Sequence, residues 1–425
     1  MEIDSTEIDE GTGYVGYQEA FNLICSNVKP LGVEEISLDL CCGRIAAGDL
    51  LALLSYPTGD VSLKDGFAVK SGDVADASRQ QPICLRVTGS VFAGSRFEGE
   101  VASGSAVKVC SGALIPRGAE AVVSGEFCEE ISSDEVCIRA HAERGRNVLY
   151  TGGEIKAGAI IVRKGEVLLP GYLGLAAAAG ISHVRVYRRP RAAVVGVGDE
   201  VVAAGGHLHP GQLYASNLVT MGAWLASFGI PYGASVVKDD KDAIKQELRH
   251  QLPDADAIIT SGGAWGSERD LVISALDELG WEEIFHHVRM GPGKGIAFGL
   301  WAGKPVFCLP GGPASNEMAF LQLALPGILR MGGENRHPLQ TVFARLAENL
   351  RGRHRAWTEF KDATLSRDVE GNYTVKLYRN RSRLQAIASA NGLVCIPEGT
   401  ESLNLGEIVP VQILAPRLED IRAGR

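Results

Sequence analysis

The sequence predicts a multidomain protein that combines an α/β domain, built on a mostly parallel sheet, with two β-rich domains. The chain has 425 residues, more than one hydrophobic core normally contains. Helix-like and strand-like segments alternate after residue 191, whereas the segments between residues 60 and 140 are short and β-rich. Residues 332–338 have the composition of a linker, and β-rich segments follow them. These observations predict an α/β domain between a small β domain and a C-terminal β domain.

The first part of the chain mixes predicted helices with short strands. Apolar residues at helical spacing predict a helix over residues 17–28, and residues 46–54 are predicted to form a second helix that ends near Pro57. A glycine-broken, alanine-rich helix is predicted over residues 172–179. The strands of the small β domain are predicted at residues 83–87, 106–110, 121–123 and 135–139.

The segment Ala192–Val197 is continuously apolar, as expected of a strand that is buried on both faces of a parallel sheet. Strands are also predicted at residues 232–237, 257–260, 284–288, 296–298 and 306–309. Helices are predicted at residues 217–228, 241–251, 268–279 and 314–329. The C-terminal β domain has predicted strands at residues 341–346, 358–365, 373–377 and 408–414.

Composition and charge exclude several classes of protein. The net charge of −9 argues against a nucleic-acid partner. No apolar run approaches the roughly 20 residues of a membrane span, and the acidic residues 1–13 lack the apolar core of an export signal. The nine cysteines are scattered, without CxxC spacing, so we expect reduced thiols and a cytoplasmic protein.

The loops that follow the predicted parallel strands contain two types of candidate functional residue. Ligands bind at the carboxyl ends of the strands in such sheets. Glycine-rich turns before helices suit phosphates or other oxyanions, and carboxylates near a phosphate typically hold Mg²⁺. A single glycine-rich loop is more often just a turn, and Asp239–Asp240 could merely cap the helix that begins at Lys241. The candidate anion-binding residues are Gly198, Ser261, Gly262, Gly263, Lys294, Pro310, Gly311 and Pro313, and the candidate metal ligands are Glu200, Asp239 and Asp270.

An ordered series of short motifs resembles the MoeA family, which includes the E domain of gephyrin. The series runs through most of the chain, and its specificity comes from the order rather than from any single motif. The matching segments are Lys64-Asp65-Gly66-Phe67-Ala68-Val69, Ser111-Gly112-Ala113, Gly152-Gly153-Glu154-Ile155, Val197-Gly198-Asp199-Glu200-Val201, Leu213-Tyr214-Ala215-Ser216-Asn217, Asp239-Asp240, Ser261-Gly262-Gly263 with Asp270, Pro292-Gly293-Lys294 and Leu309-Pro310-Gly311-Gly312-Pro313.

The resemblance implies an elongated homodimer of four-domain subunits. Residues 1–58 and 142–188 would form a discontinuous N-terminal linker domain, 59–141 an inserted β domain, 189–332 a MogA-like α/β molybdopterin-binding domain, and 338–416 a C-terminal β-barrel. The implied reaction is the insertion of molybdenum from molybdate into adenylated molybdopterin, with release of AMP and dependence on Mg²⁺ or a similar ion. The implied partners are a MogA-type adenylyltransferase and molybdoenzyme maturation factors.

The resemblance also implies roles for individual residues. Asp65, Glu200, Asp239 and Asp270 would be catalytic, and the last three would hold the metal. Ser111 and Glu154 would bind substrate. The inserted β domain, which carries Asp65, Ser111 and Glu154, would reach the α/β domain of the partner subunit.

Several positions depart from the family pattern in ways that remove anion contacts. The family's arginines are replaced by Leu149, Tyr150 and Thr151, and Lys64 is the nearest candidate to supply the missing positive charge, unless it is a solvated surface residue. Three further losses are Ala215 for aspartate, Gly291 for lysine and Gly312 for asparagine. These changes leave open a catalytically weak paralogue that binds or carries the pterin, an enzyme that handles tungstate, or a scaffold protein.

Overall fold

The computed structural model describes residues 13–262, 271–379 and 382–414. The chain divides into two compact units. Val33–Val186 forms the smaller unit, and the segments before and after it together form the larger unit.

A six-stranded sheet organises the α/β part of the larger unit. Its strands lie in the order Tyr232–Val237, Ala192–Val197, Ala257–Ser261, Lys304–Leu309, Ala297–Trp301 and Glu282–His286. The first four strands are parallel, and the last two join the sheet by antiparallel pairing. All six residues of Ala192–Val197 are buried, as the sequence predicted.

Helices cover both faces of this sheet. One apolar core cluster includes residues from Tyr17–Asn27 and Ser216–Ser227, and a second includes residues from Lys241–Gln251 and Leu271–Glu278. The helix predicted at residues 314–329 is confirmed as one helical segment that contains a π-helical turn. Its parts are Pro313–Ala319, the π turn Phe320–Ala324 and Leu325–Met331.

The C-terminal domain is a closed five-stranded β-barrel, which confirms the prediction. The pairing runs from Thr358–Arg367 through Tyr373–Leu377, Thr341–Leu346, Ile408–Ile413 and Gly392–Ile396, and back to Thr358–Arg367. The strand Gly392–Ile396 and the helix Arg383–Ser389 were not anticipated. The remaining short strands of the larger unit are Val15–Gly16 paired with Val288–Gly291, Leu350–Arg351 with Ser402–Leu403, and Val201–Val202 with Leu213–Tyr214.

The smaller unit contains a six-stranded β sheet, which confirms the small β domain. Its strand order is Ala121–Ser124, Gly66–Val69, Ser105–Val109, Ile83–Val91, Glu135–Ile138 and Cys128–Ser132. The rest of the unit consists of the helix Pro170–Ala178, the strand pairs Leu50–Leu51 with Ile160–Val162, Val61–Ser62 with Val148–Leu149 and Val33–Ser37 with His183–Tyr187, and the 3₁₀ turns Leu38–Leu40, Ser71–Val74 and Gly125–Phe127.

The helix predicted over residues 46–54 is wrong. Leu50–Leu51 pairs instead with Ile160–Val162, and Ala46 forms a bridge with Val186. The backbone of this segment therefore hydrogen-bonds to strands more than 100 residues away in sequence, as shown by the Leu51–Ile160 pair. Long-range pairing of this kind overrides the helix propensity of alanine and leucine.

The expectation that all nine cysteines are reduced is also corrected. Cys84 and Cys137 form a disulfide, and they stand opposite each other on neighbouring antiparallel strands. The other seven cysteines are free. Because 53 residues separate the two partners, no local spacing could have revealed the pair. Separately, no helix within the described ranges has the length and apolar character that a bilayer crossing needs.

Candidate functional site

Four loops meet at one edge of the parallel sheet, where the strands Ala192–Val197, Tyr232–Val237, Ala257–Ser261 and Lys304–Leu309 end. Backbone hydrogen bonds join neighbouring loops: Gly198 donates to the carbonyl of Val237 at 3.1 Å, and Gly262 donates to the carbonyl of Leu309 at 3.1 Å. The N–H of Asp239 also donates to the carboxylate of Asp199 at 3.3 Å. The sheet therefore brings together loops that are far apart in sequence, as predicted.

Gly262 is required by the close approach of these loops. Its φ is +100°, and a Cβ atom at this position would lie 2.4 Å from the carbonyl oxygen of Val197. A Cβ atom on Gly311 would contact Gly262 Cα at 3.6 Å. The absence of side chains leaves backbone groups of both loops close together, which is the arrangement that suits an anion.

Two asparagine side chains hold the loop after Leu309 against Ser261. Asn316 Nδ2 donates to Ser261 Oγ at 3.0 Å and to the carbonyl of Pro310 at 2.9 Å. Asn217 Nδ2 donates to Ser261 Oγ at 3.1 Å and to the carbonyl of Gly311 at 2.8 Å. Sequence reasoning placed neither asparagine in the site. Asn217 ends one of the resemblance motifs, which was a usable signal, whereas Asn316 offered none.

The acidic candidates have different local roles. Asp240 caps the helix Lys241–Gln251, and its carboxylate accepts the N–H of Ala243 at 2.8 Å. Glu200 and Asp239 are exposed, and their carboxylates accept no hydrogen bond from any residue that the structure describes. Asp270 and Gly263 lie outside the described residues. Within the described ranges, no three His, Cys, Asp or Glu side chains are grouped closely enough to hold a metal.

Lys294 lies in a basic cavity of about 430 Å³ that the barrel domain helps to form. Its Nζ atom is 5.9 Å from the ring centre of Trp357, at cation–π distance. Arg353, His354 and Lys361 also line the cavity. The cavity therefore combines several cationic groups with an aromatic wall, a composition that favours an anionic ligand. Sequence reasoning missed the barrel residues because no motif links them to Lys294.

Two acidic residues, Glu359 and Asp362, also line this basic cavity. Burial raises the pKa of the Asp362 carboxyl, and the carboxylate of Glu359 is already paired. Burial alone would raise the pKa of Glu359, but the hydrogen bond from Lys361 and those from the N–H groups of His354 and Arg353 lower that pKa overall. Glu359 is thus held as an anion by its protein partners. Lys294 and Arg353 also lie on the cavity wall.

In the smaller unit, Asp65 and Ser111 are in direct contact. The Asp65 carboxylate accepts the N–H of Ser111 at 2.7 Å. The neighbouring Gly66 is required, because a Cβ atom there would lie 2.0 Å from the carbonyl oxygen of Val123. Glu154 is exposed in a nearby turn, where its backbone N–H donates to the carbonyl of Tyr56 at 3.1 Å.

A second cavity in the smaller unit, of about 340 Å³, contains two arginines that sequence reasoning missed. Arg96 and Arg117 line it together with Thr151, which is one of the three residues that replace the family's arginines. Both Thr151 N–H and Oγ1 donate to the carboxylate of Asp60 at 2.8 Å. Neither arginine forms an ion pair with a described residue. The cavity therefore has cationic groups available for an anion.

Three regions of the chain match known families. Residues 15–180 match the MoeA N-terminal region (domain I and II), residues 193–330 match a probable molybdopterin binding domain, and residues 344–414 match the MoeA C-terminal region (domain IV). The fold and the site thus define a multidomain protein built around an α/β domain that matches a molybdopterin-binding family, and this confirms the predicted multidomain α/β plus β fold class.

Whole-chain comparisons extend these matches. Molybdopterin molybdenumtransferase 2 of Mycobacterium tuberculosis is 32% identical over 92% of this chain and 97% of its own length. Molybdopterin molybdenumtransferase of Staphylococcus aureus is 29% identical over 93% of this chain and 94% of its own length. The crystal structure of a molybdopterin biosynthesis MoeA protein from Pyrococcus horikoshii has a TM-score of 0.78 and 32% identity, and the match covers 95% of this chain and 99% of that one. The chain belongs to the MoeA family of molybdopterin molybdenumtransferases and is a transferase with a role in molybdenum-cofactor biosynthesis.

Proposed function

We propose that this protein inserts molybdenum from molybdate into adenylated molybdopterin and releases AMP. The observation that carries this proposal is the meeting of glycine-rich loops and two carboxylates at the carboxyl edge of one parallel sheet. These carboxylates, Glu200 and Asp239, accept no hydrogen bond from the residues that the structure describes. Backbone N–H groups in such loops suit the phosphates of the substrate. The relatives named molybdopterin molybdenumtransferase support the same chemistry.

The residues at this edge are compatible with a Mg²⁺ ion. Mg²⁺ is commonly held by one or two carboxylates together with substrate phosphates and waters, so Glu200 and Asp239 supply a sufficient protein contribution, and Asp270 would add a third carboxylate. The ion would neutralise phosphate charge when the substrate is bound. Ser261, held by Asn217 and Asn316, keeps the loop after Leu309 in position for that substrate.

The basic cavity around Lys294 is the proposed oxyanion site. Lys294 and Arg353 supply positive charge on its wall, and an arginine fork suits the oxygens of a tetrahedral oxyanion. Molybdate and tungstate are nearly isosteric, so the same cavity would accept both. Molybdate is the proposed substrate because the curated relatives are named molybdenumtransferases.

We also propose that the protein acts as a cytoplasmic homodimer. Asp65, Ser111 and Glu154 in the inserted β domain of one subunit would complete the site of the partner subunit. Light scattering at micromolar concentration should give twice the mass of the 45.2 kDa chain. A monomer at that concentration would contradict this arrangement.

The experiment that tests the reaction measures AMP release from adenylated molybdopterin with Mg²⁺ and either molybdate or tungstate. We expect AMP release that depends on the oxyanion. Asp239→Asn should reduce the rate at least about a hundredfold, while leaving pterin affinity within a few-fold, because a metal-holding carboxylate acts mainly on the reaction step. The adjacent Asp240→Asn is the matched control, since asparagine also caps helices, and it should retain activity.

The second candidate function is that of a protein that binds or carries the pterin without efficient catalysis. The replacements Ala215, Gly291 and Gly312 favour it, because each lacks a polar group that the family has at that position. Such a carrier would bind adenylated molybdopterin with unchanged affinity in the presence or absence of molybdate and would release no AMP. Oxyanion-dependent AMP release would exclude it.

A further inference from the structure

A cavity of about 780 Å³ lies in the larger unit, and none of the residues that line it belongs to the candidate site described above. Residues of the helix Ser216–Ser227 form one wall, and residues near the helix Arg383–Ser389 form another. The volume falls within the range of about 300–1,000 Å³ that is typical of small-molecule sites. The cavity is therefore large enough for a ligand of its own.

Glu317 is the only ionisable group among the described residues that line this cavity. Glu317 is buried, with only 8% of its surface exposed. Trp224 Nε1 donates a hydrogen bond to Glu317 Oε1 at 3.3 Å. The other oxygen, Oε2, has no hydrogen-bond partner among the described residues, and Glu317 is one of the residues that line the cavity. A buried carboxylate that lacks a counter-ion is costly, and a ligand with a positive charge would relieve that cost.

The rest of the wall suits the apolar part of such a ligand. Trp224 and Phe228 stack with their ring centres 6.5 Å apart, and aliphatic side chains including Val219, Leu339 and Ile387 complete the surface. Aromatic faces attract cations as well as apolar groups. An anion such as the substrates of the proposed reaction would be repelled by Glu317, so this cavity calls for a different class of ligand.

We propose that this cavity binds a small organic cation, namely an ammonium group on an aromatic or branched apolar body, with Glu317 as its counter-ion. The carboxyl of Asp362, which raises the pKa of Glu317, adds negative potential that favours a cation further. Glu317 is the next residue after Asn316, whose amide holds Ser261 and Pro310 in the candidate site. A ligand in the cavity would therefore contact the same helix that positions the anion-binding loop.

The test is calorimetric titration of the full-length protein at pH 8.5 with tryptamine, which is protonated at that pH, and with its neutral analogue tryptophol. We expect tryptamine to bind at least about tenfold more tightly, because a charge-assisted hydrogen bond is worth roughly that factor or more. Equal affinity for the two probes, or no binding of tryptamine up to millimolar concentration, would overturn the proposal.

Substitutions identify the location of the bound probe. Ala223→Trp fills the cavity and should weaken tryptamine binding at least about tenfold. Ala226→Trp is the matched control, since Ala226 is equally exposed on the same helix but does not line the cavity, and it should bind as the wild type does. Glu317→Gln should bring the two probes within about twofold of each other. If that variant does not fold, the Ala223 and Ala226 variants still locate the site. Tryptamine binding that is unchanged in both of these variants would refute the proposed location.

Discussion

Glu317→Gln removes a buried carboxyl whose ionisation depends on folding. Burial raises the pKa of Glu317 from 4.5 to about 7, the hydrogen bond from Trp224 lowers it in part, and the carboxyl of Asp362 raises it. Between these two pH values the folded state binds more protons than the unfolded state, so the free energy of unfolding falls as pH rises. The stabilisation is complete below pH 4.5 and is lost as pH rises through about 7.

The size of this effect follows from the shift. At about 1.4 kcal/mol for each pKa unit, a shift from 4.5 to about 7 corresponds to roughly 3 kcal/mol. Glutamine cannot ionise but can still accept the Trp224 hydrogen bond, so the variant should lack this pH dependence. Urea unfolding of both proteins between pH 4.5 and 8 should show the wild type losing about 3 kcal/mol relative to Glu317→Gln.

Glu282→Gln is the matched control for the loss of one carboxylate, because Glu282 is exposed on an edge strand. The difference in the free energy of unfolding between Glu282→Gln and the wild type should not change with pH in the way expected for Glu317→Gln. Asp362→Asn should move the midpoint of the Glu317 dependence to lower pH, because it removes a like charge. A difference between wild type and Glu317→Gln that stays constant from pH 4.5 to 8 would refute the assigned shift.

Three further predictions test other parts of the structure. Gly262→Ala should lower the free energy of unfolding by at least about 2 kcal/mol and impair AMP release. Gly233→Ala is the control, because its Cβ would meet nothing nearer than 3.8 Å, and it should do neither. Equal melting temperatures for the two variants would contradict the conclusion that position 262 requires glycine. Arg117→Ala should raise the Michaelis constant of an anionic substrate about tenfold, because Arg117 lines the cavity beside Thr151. Lys64→Ala should raise it about twofold at most. The reverse order would show that Lys64, and not Arg117, supplies the positive charge that contacts the anion. Thiol titration of the denatured protein should find seven free cysteines before reduction and nine after it, and nine before reduction would exclude the disulfide.

Local patterns were sufficient to predict the α/β domain. The bounds of Ala192–Val197, Tyr232–Val237 and Lys241–Gln251 match the prediction because each element has an uninterrupted apolar or amphipathic pattern with clear ends. The edge of the sheet at which the candidate site lies could be predicted from these strands, because the parallel strands of one sheet end on the same side.

Contacts between distant segments could not be predicted in this way. Lys294 lies against Trp357 because the barrel packs beside the α/β domain, and no periodicity in either segment encodes that packing. The same holds for the Cys84–Cys137 disulfide and for the strand pairing of Leu50–Leu51. In each case the partner lies more than 50 residues away, so only the folded chain reveals which side chains meet.

The loop around Gly312 keeps side-chain support without the family's asparagine. Gly312 has an ordinary φ of −70°, so the backbone there does not require glycine, and the position simply lacks the amide of the family's asparagine. Two other amides act on the same loop: Asn217 donates to the carbonyl of Gly311, and Asn316 donates to that of Pro310. The loop that follows Leu309 is therefore still held against Ser261 by side-chain amides. Asn316 is buried and Asn217 is half-buried, so both amides hold the loop from within the protein, beside the exposed carboxylates Glu200 and Asp239. The loss of the amide at Gly312 therefore leaves the support that the proposed reaction requires in place.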